Sequence, residues 1–115
     1  MSVIHIESTE QFKTEILESP RLSIVDFRAE RCGPCRMLGP IMEQLANEHK
    51  DVTIAKVNVD EQRELANTFQ VSSIPVVFFI KNGEVVDHVV GANPANVYKE
   101  KIAEHSAAAK EIAQV

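Results

Sequence analysis

The sequence has no tryptophan, a single tyrosine and only two cysteines among its 115 residues. Two cysteines cannot complete a structural zinc site, which needs about four ligands, and His5, His49, His88 and His105 are scattered without ligand spacing. No extra crosslinks are needed either, because a chain of this length can bury a real core, and a single domain over residues 1–115 is expected. There is no run of lysine or arginine, and the net charge is −5, so a general nucleic-acid binder is excluded. No apolar stretch approaches a membrane span. Met1–Glu7 has neither a basic n-region nor a long apolar h-region, so no secretory signal and no membrane partner are expected. Internal repeats and low-complexity tracts are also missing. What remains is 44% apolar and 25% charged residues, the balance of an ordinary soluble globular domain.

Both cysteines fall in one tetrapeptide, Cys32-Gly33-Pro34-Cys35, between the apolar run Leu22–Phe27 and a helical pattern at Met37–Leu45. At this spacing the thiols can face the same way over one helical turn and close a small disulfide with little backbone movement. If Cys32 lies at the start of the helix, its thiolate gains from unpaired backbone N–H groups and from the positive end of the helix dipole. Cys35, one turn further in, should be shielded and react second. Pro34 suits the first helical turn, and Gly33 lets a partner backbone approach the sulfur. A purely structural disulfide is the plainer alternative, but a four-residue loop restrains the unfolded chain very little. A redox dithiol is therefore the preferred reading, ahead of structural or metal-binding roles. Such a pair is expected to cycle in a reducing compartment, with the cytoplasm as the default address.

Along the chain, Val3–Ile6 reads as a short strand. Ser8 with Gln11 resembles a capping box for an amphipathic helix that carries Phe12 and Ile16 and ends before Pro20. Leu22–Phe27 reads as a strand buried on both faces. The helix after Cys32 has an apolar stripe of Met37, Leu38, Ile41, Met42 and Leu45, with Pro40 predicting a kink. Val52–Val59 is a second buried strand. Glu61–Phe69 is a short helix with Leu65, Ala66 and Phe69 inward, and Ser72–Pro75 is a loop. Val76–Ile80 is a strand joined to Val85–Val90 by an Asn82-Gly83 hairpin turn. Gly91 ends that strand. Asn93 can cap and Pro94 can start a last helix with Val97, Tyr98 and Ile102 inward, which His105–Val115 either prolongs or leaves frayed.

The order β-α-β-α-β-α-β-β-α implies an α/β three-layer sandwich, a mixed sheet between two layers of helices. Sites in such sheets lie beyond the carboxyl ends of parallel strands, which is where Cys32–Cys35 falls. The residues at this point resemble the thioredoxin family over nearly the whole length: Val25-Asp26-Phe27, Ala29-Glu30, CGPC at 32–35, Pro40, the run AKVNVD at 55–60, Ile74-Pro75, Lys81-Asn82-Gly83-Glu84 and Val90-Gly91-Ala92. CGPC with the downstream Ile-Pro and Lys-Asn-Gly is far more specific than a CxxC pair alone.

The resemblance implies the thioredoxin fold and a general protein-disulfide reductase, a monomer acting on protein disulfides and re-reduced by an NADPH-dependent thioredoxin reductase. No bound cofactor or metal is expected. Cys32 would attack the target disulfide and Cys35 would resolve the mixed disulfide. Asp26, an acid within an apolar strand, would be desolvated and could accept the Cys35 proton near neutrality, with Lys56 as its partner. The plainer readings are an exposed strand-end Asp26 and a Lys56 whose stem snorkels to water. Pro75 would be cis, leaving the Ile74 backbone free to pair with an extended substrate segment, and Gly91 and Ala92 would complete an apolar groove.

The chain departs from the family in one place. Where W-A-E-W-C-G-P-C is usual, it reads Arg28-Ala29-Glu30-Arg31-Cys32-Gly33-Pro34-Cys35, followed by Arg36. These could be surface arginines whose stems cover the same patch. Alternatively they form a cationic collar that favours the Cys32 thiolate, makes the protein a weaker reductant and selects targets with acidic flanks. Two further alternatives are a docking subunit that uses the collar as its contact surface, and a variant in which two chains share a metal centre through their CxxC pairs.

Overall fold

The structure, a computed structural model, describes residues 3–106; the expectation for the end of the chain lies outside them from residue 107 onward. The elements run β1 (Val3–His5), α1 (Thr9–Phe12), β2 (Ser23–Arg28), α2 (Gly33–Glu48), β3 (Thr53–Asn58), α3 (Arg63–Thr68), β4 (Val76–Lys81), β5 (Glu84–Val90) and α4 (Ala95–His105). This is the expected order. Five strands form one mixed sheet in the order β1-β3-β2-β4-β5; β1 and β2 run parallel to β3, while β4 is antiparallel to β2 and β5 to β4.

Side-chain alternation divides the core into two layers. Ile24, Ile54, Val77 and Phe79 pack with Leu38, Met42 and Leu45 of α2 and with Tyr98 and Ile102 of α4. Val25, Phe27, Ala55, Val57 and Ile80 pack on the other face with Phe12, Ile16 and Leu65. On that second face the Phe69 ring meets Phe12, Phe27 and Phe78 at centroid distances of 5.5, 5.3 and 5.2 Å. Because β2 is central and buried along five of its six residues, a polar group on it has no route to water.

The local signals hold with some corrections. Ser8 Oγ accepts the Gln11 amide, but Gln11 Oε1 reaches back to the Glu7 amide, not that of Ser8. After Phe12 the first helix widens into a π-helical turn, Lys13–Leu17, closed by Glu18 N–H donating to the Lys13 carbonyl. Asn82 and Gly83 have φ of +53° and +77°, the paired positive values of a tight hairpin turn. Met37 is not part of the apolar stripe of α2; it is 70% exposed. Val97 is only half-buried. Asn93 does not cap α4. The cap position is Pro94, and the Asn93 side chain donates instead to the carbonyls of Val90 and Gly91.

Candidate active site

At its carboxyl end β2 gives way to a turn in which the Cys32 amide donates to the Ala29 carbonyl at 3.3 Å. That turn places Cys32, with an extended backbone, at the N-cap of the 16-residue helix α2, with Gly33 and Pro34 in the first turn. Its Sγ accepts the Cys35 amide at 3.2 Å, taking one of the donors that a helix start leaves unpaired. Negative charge developing on this sulfur is stabilised by that N–H and by the dipole of α2. Cys32 and Cys35 are disulfide-bonded with Cα atoms 5.2 Å apart. Their surroundings differ: Cys32 is half-buried and Cys35 has no exposed surface. Only Cys32 is open to an incoming disulfide.

Two loops face the cysteines. The Ile74–Pro75 bond is cis, and the Ile74 carbonyl oxygen lies 3.8 Å from Cys32 Sγ. Pro75 is buried and Ile74 half-buried. The Pro75 carbonyl accepts the Gly91 amide at 2.7 Å, so the loop after β5 is tied to the loop before β4. Gly91 has φ of +88°. Its carbonyl accepts the Tyr98 hydroxyl at 3.2 Å and Asn93 Nδ2 at 3.1 Å, which fixes the loop that carries the exposed Ala92.

On β2, the strand that leads into the cysteine turn, Asp26 has no exposed surface, and neither carboxylate oxygen has a hydrogen-bond partner. The exposed strand-end reading of Asp26 is thereby overturned. Burial pushes its carboxyl up to about 7, with the charges of Lys56 and Arg28 acting in the opposite direction. Lys56 stands opposite Asp26 in the β2–β3 register, yet its ammonium is found 4.0 Å from Glu43 of α2.

Two of the three arginines are already ion-paired. Arg31 makes two hydrogen bonds to the carboxylate of Asp60, at 3.1 and 3.2 Å, and Arg28 lies 3.3 Å from Glu30. Arg36 donates to the Glu30 carbonyl oxygen at 3.0 Å. Glu30 and Asp60 thus offset much of the field of Arg28 and Arg31, while the Arg36 charge is held on a backbone carbonyl and has no carboxylate against it.

Sequence reasoning missed Glu43, Tyr98 and Asp60. Glu43 could have been found from its spacing, because Cys35, Gly39 and Glu43 recur every four residues along one helix face. Tyr98 reads as a core aromatic, and nothing local shows that its hydroxyl holds Gly91 and Asn93. Asp60 lies 29 positions from Arg31, with no sequence signal linking them.

A family model described as Thioredoxin matches residues 3–104. The chain is 48% identical over 103 residues to a thioredoxin of Chlorobaculum thiosulfatiphilum, covering 88% of this chain and 95% of that one. It is 47% identical over 107 residues to thioredoxin 2 of Chlorobaculum tepidum, covering 91% and 98%. Among solved structures, a thioredoxin of Malassezia sympodialis superposes with a TM-score of 0.84 at 38% identity, covering 92% of both chains.

Proposed function

This chain belongs to the thioredoxin family and is a thiol–disulfide oxidoreductase, and from that premise we propose that it is a general protein-disulfide reductase, re-reduced by an NADPH-dependent thioredoxin reductase. The observation that carries this reading is the asymmetry of its two sulfurs, one reachable at a helix N-terminus and one fully buried a turn later.

In the reduced protein the Cys32 thiolate attacks one sulfur of a substrate disulfide. The substrate S–S bond breaks, its second sulfur leaves as a thiolate, and a Cys32–substrate disulfide forms. Asp26, ionised, takes the Cys35 proton. The Cys35 thiolate then attacks Cys32 Sγ, expels the substrate's remaining sulfur as a thiolate and closes the Cys32–Cys35 bond. The substrate gains two electrons and, from Asp26 and water, two protons. A carboxyl poised at about 7 suits both halves of this transfer near neutral pH. Gly33 and Pro34 keep the approach to Cys32 low, and Ile74, Pro75, Gly91 and Ala92 form the strip on which an extended substrate segment lies. Lys56 tunes Asp26, while Arg28 and Arg31, being ion-paired, shape the rim. The protein acts as a monomer, and the dithiol cycles in a reducing compartment such as the cytoplasm. No helix among the described residues is long and apolar enough to cross a membrane.

The deciding experiment is an equilibrium titration in graded glutathione or dithiol buffers, read by thiol alkylation and mass, with Cys32→Ser as control. A reversible two-electron transition in a reducing range is expected. No transition in the physiological range would favour a docking subunit, and metal retained on purification would favour a bridged CxxC centre.

A further inference from the structure

Neither of the two cations whose charge acts on the buried Asp26 carboxylate, Lys56 and Arg28, forms an ion pair with it. Arg28, on the same strand, is drawn to Glu30 at 3.3 Å. Lys56 starts directly across the β2–β3 pair from Asp26, but its side chain runs out along α2. A methyl group placed on Gly39 would lie 3.7 Å from its Nζ, and Glu43 Oε2, one helical turn further on, lies 4.0 Å away. Cys35, Gly39 and Glu43 thus form a single stripe, with the Lys56 ammonium lying against its outer half. Asp26 keeps no hydrogen-bond partner on either oxygen.

We propose that Glu43 is a positioning residue for Asp26: by holding the Lys56 ammonium against α2, it prevents that cation from closing on the buried carboxylate. The inference rests on Asp26 being the proton acceptor in the reaction above. The contact is electrostatic and too long for a hydrogen bond, and Glu43 is half-exposed, which limits the effect to a modest one. Its direction is fixed. Without Glu43 the ammonium is free to approach Asp26, and an opposite charge at short range favours the ionised carboxylate. The Tyr98 hydroxyl of α4 is pushed up by burial first and, last among its causes, by the Asp26 charge, and the cystine at the start of α2 does not titrate. His5, Glu7, Glu30 and Glu61 are further out; with Arg28 and Lys56 they line a polar cavity of about 240 Å³.

The test is the titration of Asp26 itself, followed by carboxyl carbon NMR in the oxidised protein, where the cysteines do not interfere. Glu43→Gln is expected to move the Asp26 midpoint down by about half a unit, and Lys56→Gln to move it up. In the Lys56→Gln background, Glu43→Gln should no longer shift it, because the cation that Glu43 acts through is gone. An unchanged midpoint in Glu43→Gln overturns the proposal. So does an equal shift in both backgrounds, which would mean that Glu43 acts directly through its own charge. The parent reading is judged separately, by the pH profile of mixed-disulfide resolution. If Asp26→Asn leaves that profile unchanged, Asp26 is not the proton acceptor, whatever the NMR titration shows.

Discussion

The Gly91 amide donates to the Pro75 carbonyl at 2.7 Å, one residue beyond the last paired residues of β4 and β5, Val76 and Val90. This bond carries the strand ladder into the two loops that face Cys32. It also requires an unusual backbone, since Gly91 sits at φ of +88° with nothing within 4 Å of where a Cβ would point.

Gly91→Ala therefore meets no clash, only conformational strain. A loss of about 1–2 kcal/mol is expected from placing a Cβ at positive φ, measured as a lower urea midpoint at an unchanged m-value. Slower reduction of a protein disulfide should accompany it. A stability equal to the parent's would mean that the loop relaxes to another conformation.

Asp26 makes stability fall with rising pH. Its carboxyl is raised from 3.8 to about 7, with burial as the leading cause. Between those values the folded chain holds a proton that the unfolded chain has released. The stability that Asp26 contributes is thus greatest below about pH 4, declines through the window and levels off above about 7. The full span is about 4 kcal/mol. Asp26→Asn removes the decline and should be the more stable protein at pH 8. Parallel curves for the two proteins across this range would sink the argument.

Asp87 acts with the opposite sign. Burial opposes its ionisation, but the Lys101 ammonium and His105 Nε2, each at 2.9 Å, and the His88 amide outweigh it and hold the carboxyl at about 2. The stability it contributes is present above about pH 4 and disappears as pH falls through about 2. These bonds join β5 to the end of α4. Asp87→Asn should cost about 1 kcal/mol at pH 7, and the cost should vanish near pH 2 in a denaturant series.

The ion pairs at the rim can be read in the reduction potential. With Asp60 opposite Arg31, replacing both, Arg31→Trp with Asp60→Asn, removes little net field from Cys32 and should leave the midpoint almost unchanged. Asp60→Asn frees the guanidinium and should make the couple less reducing by about 10 mV, an effect that salt diminishes. A larger shift in the double variant than in Asp60→Asn would restore the free cationic collar.

Much of this molecule was legible because its signals are short-range. The helix start at Cys32, the Asn82-Gly83 turn, the burial of Leu22–Phe27 and the strand–helix order depend on periodicity and turn chemistry within a few residues. The errors share a physical origin. Met37 is apolar but lies outside the buried Leu38-Met42-Leu45 stripe of α2 and is exposed. Asn93 has the right chemistry for a cap but finds the carbonyls of Val90 and Gly91 closer.

The sequence by itself determined the fold and the dithiol, but it left Asp26 between a buried and an exposed strand-end position, and burial was decided by the central place of β2 in the sheet. The tertiary structure alone decided where the long cations go. Arg31 meets Asp60, Lys56 meets Glu43 and Arg28 meets Glu30. An arginine or lysine side chain spans several ångströms and can reach more than one carboxylate, so its partner depends on which elements the fold brings alongside it. Those choices set the charge around Cys32 and Asp26, and hence the chemistry this thioredoxin-fold site performs.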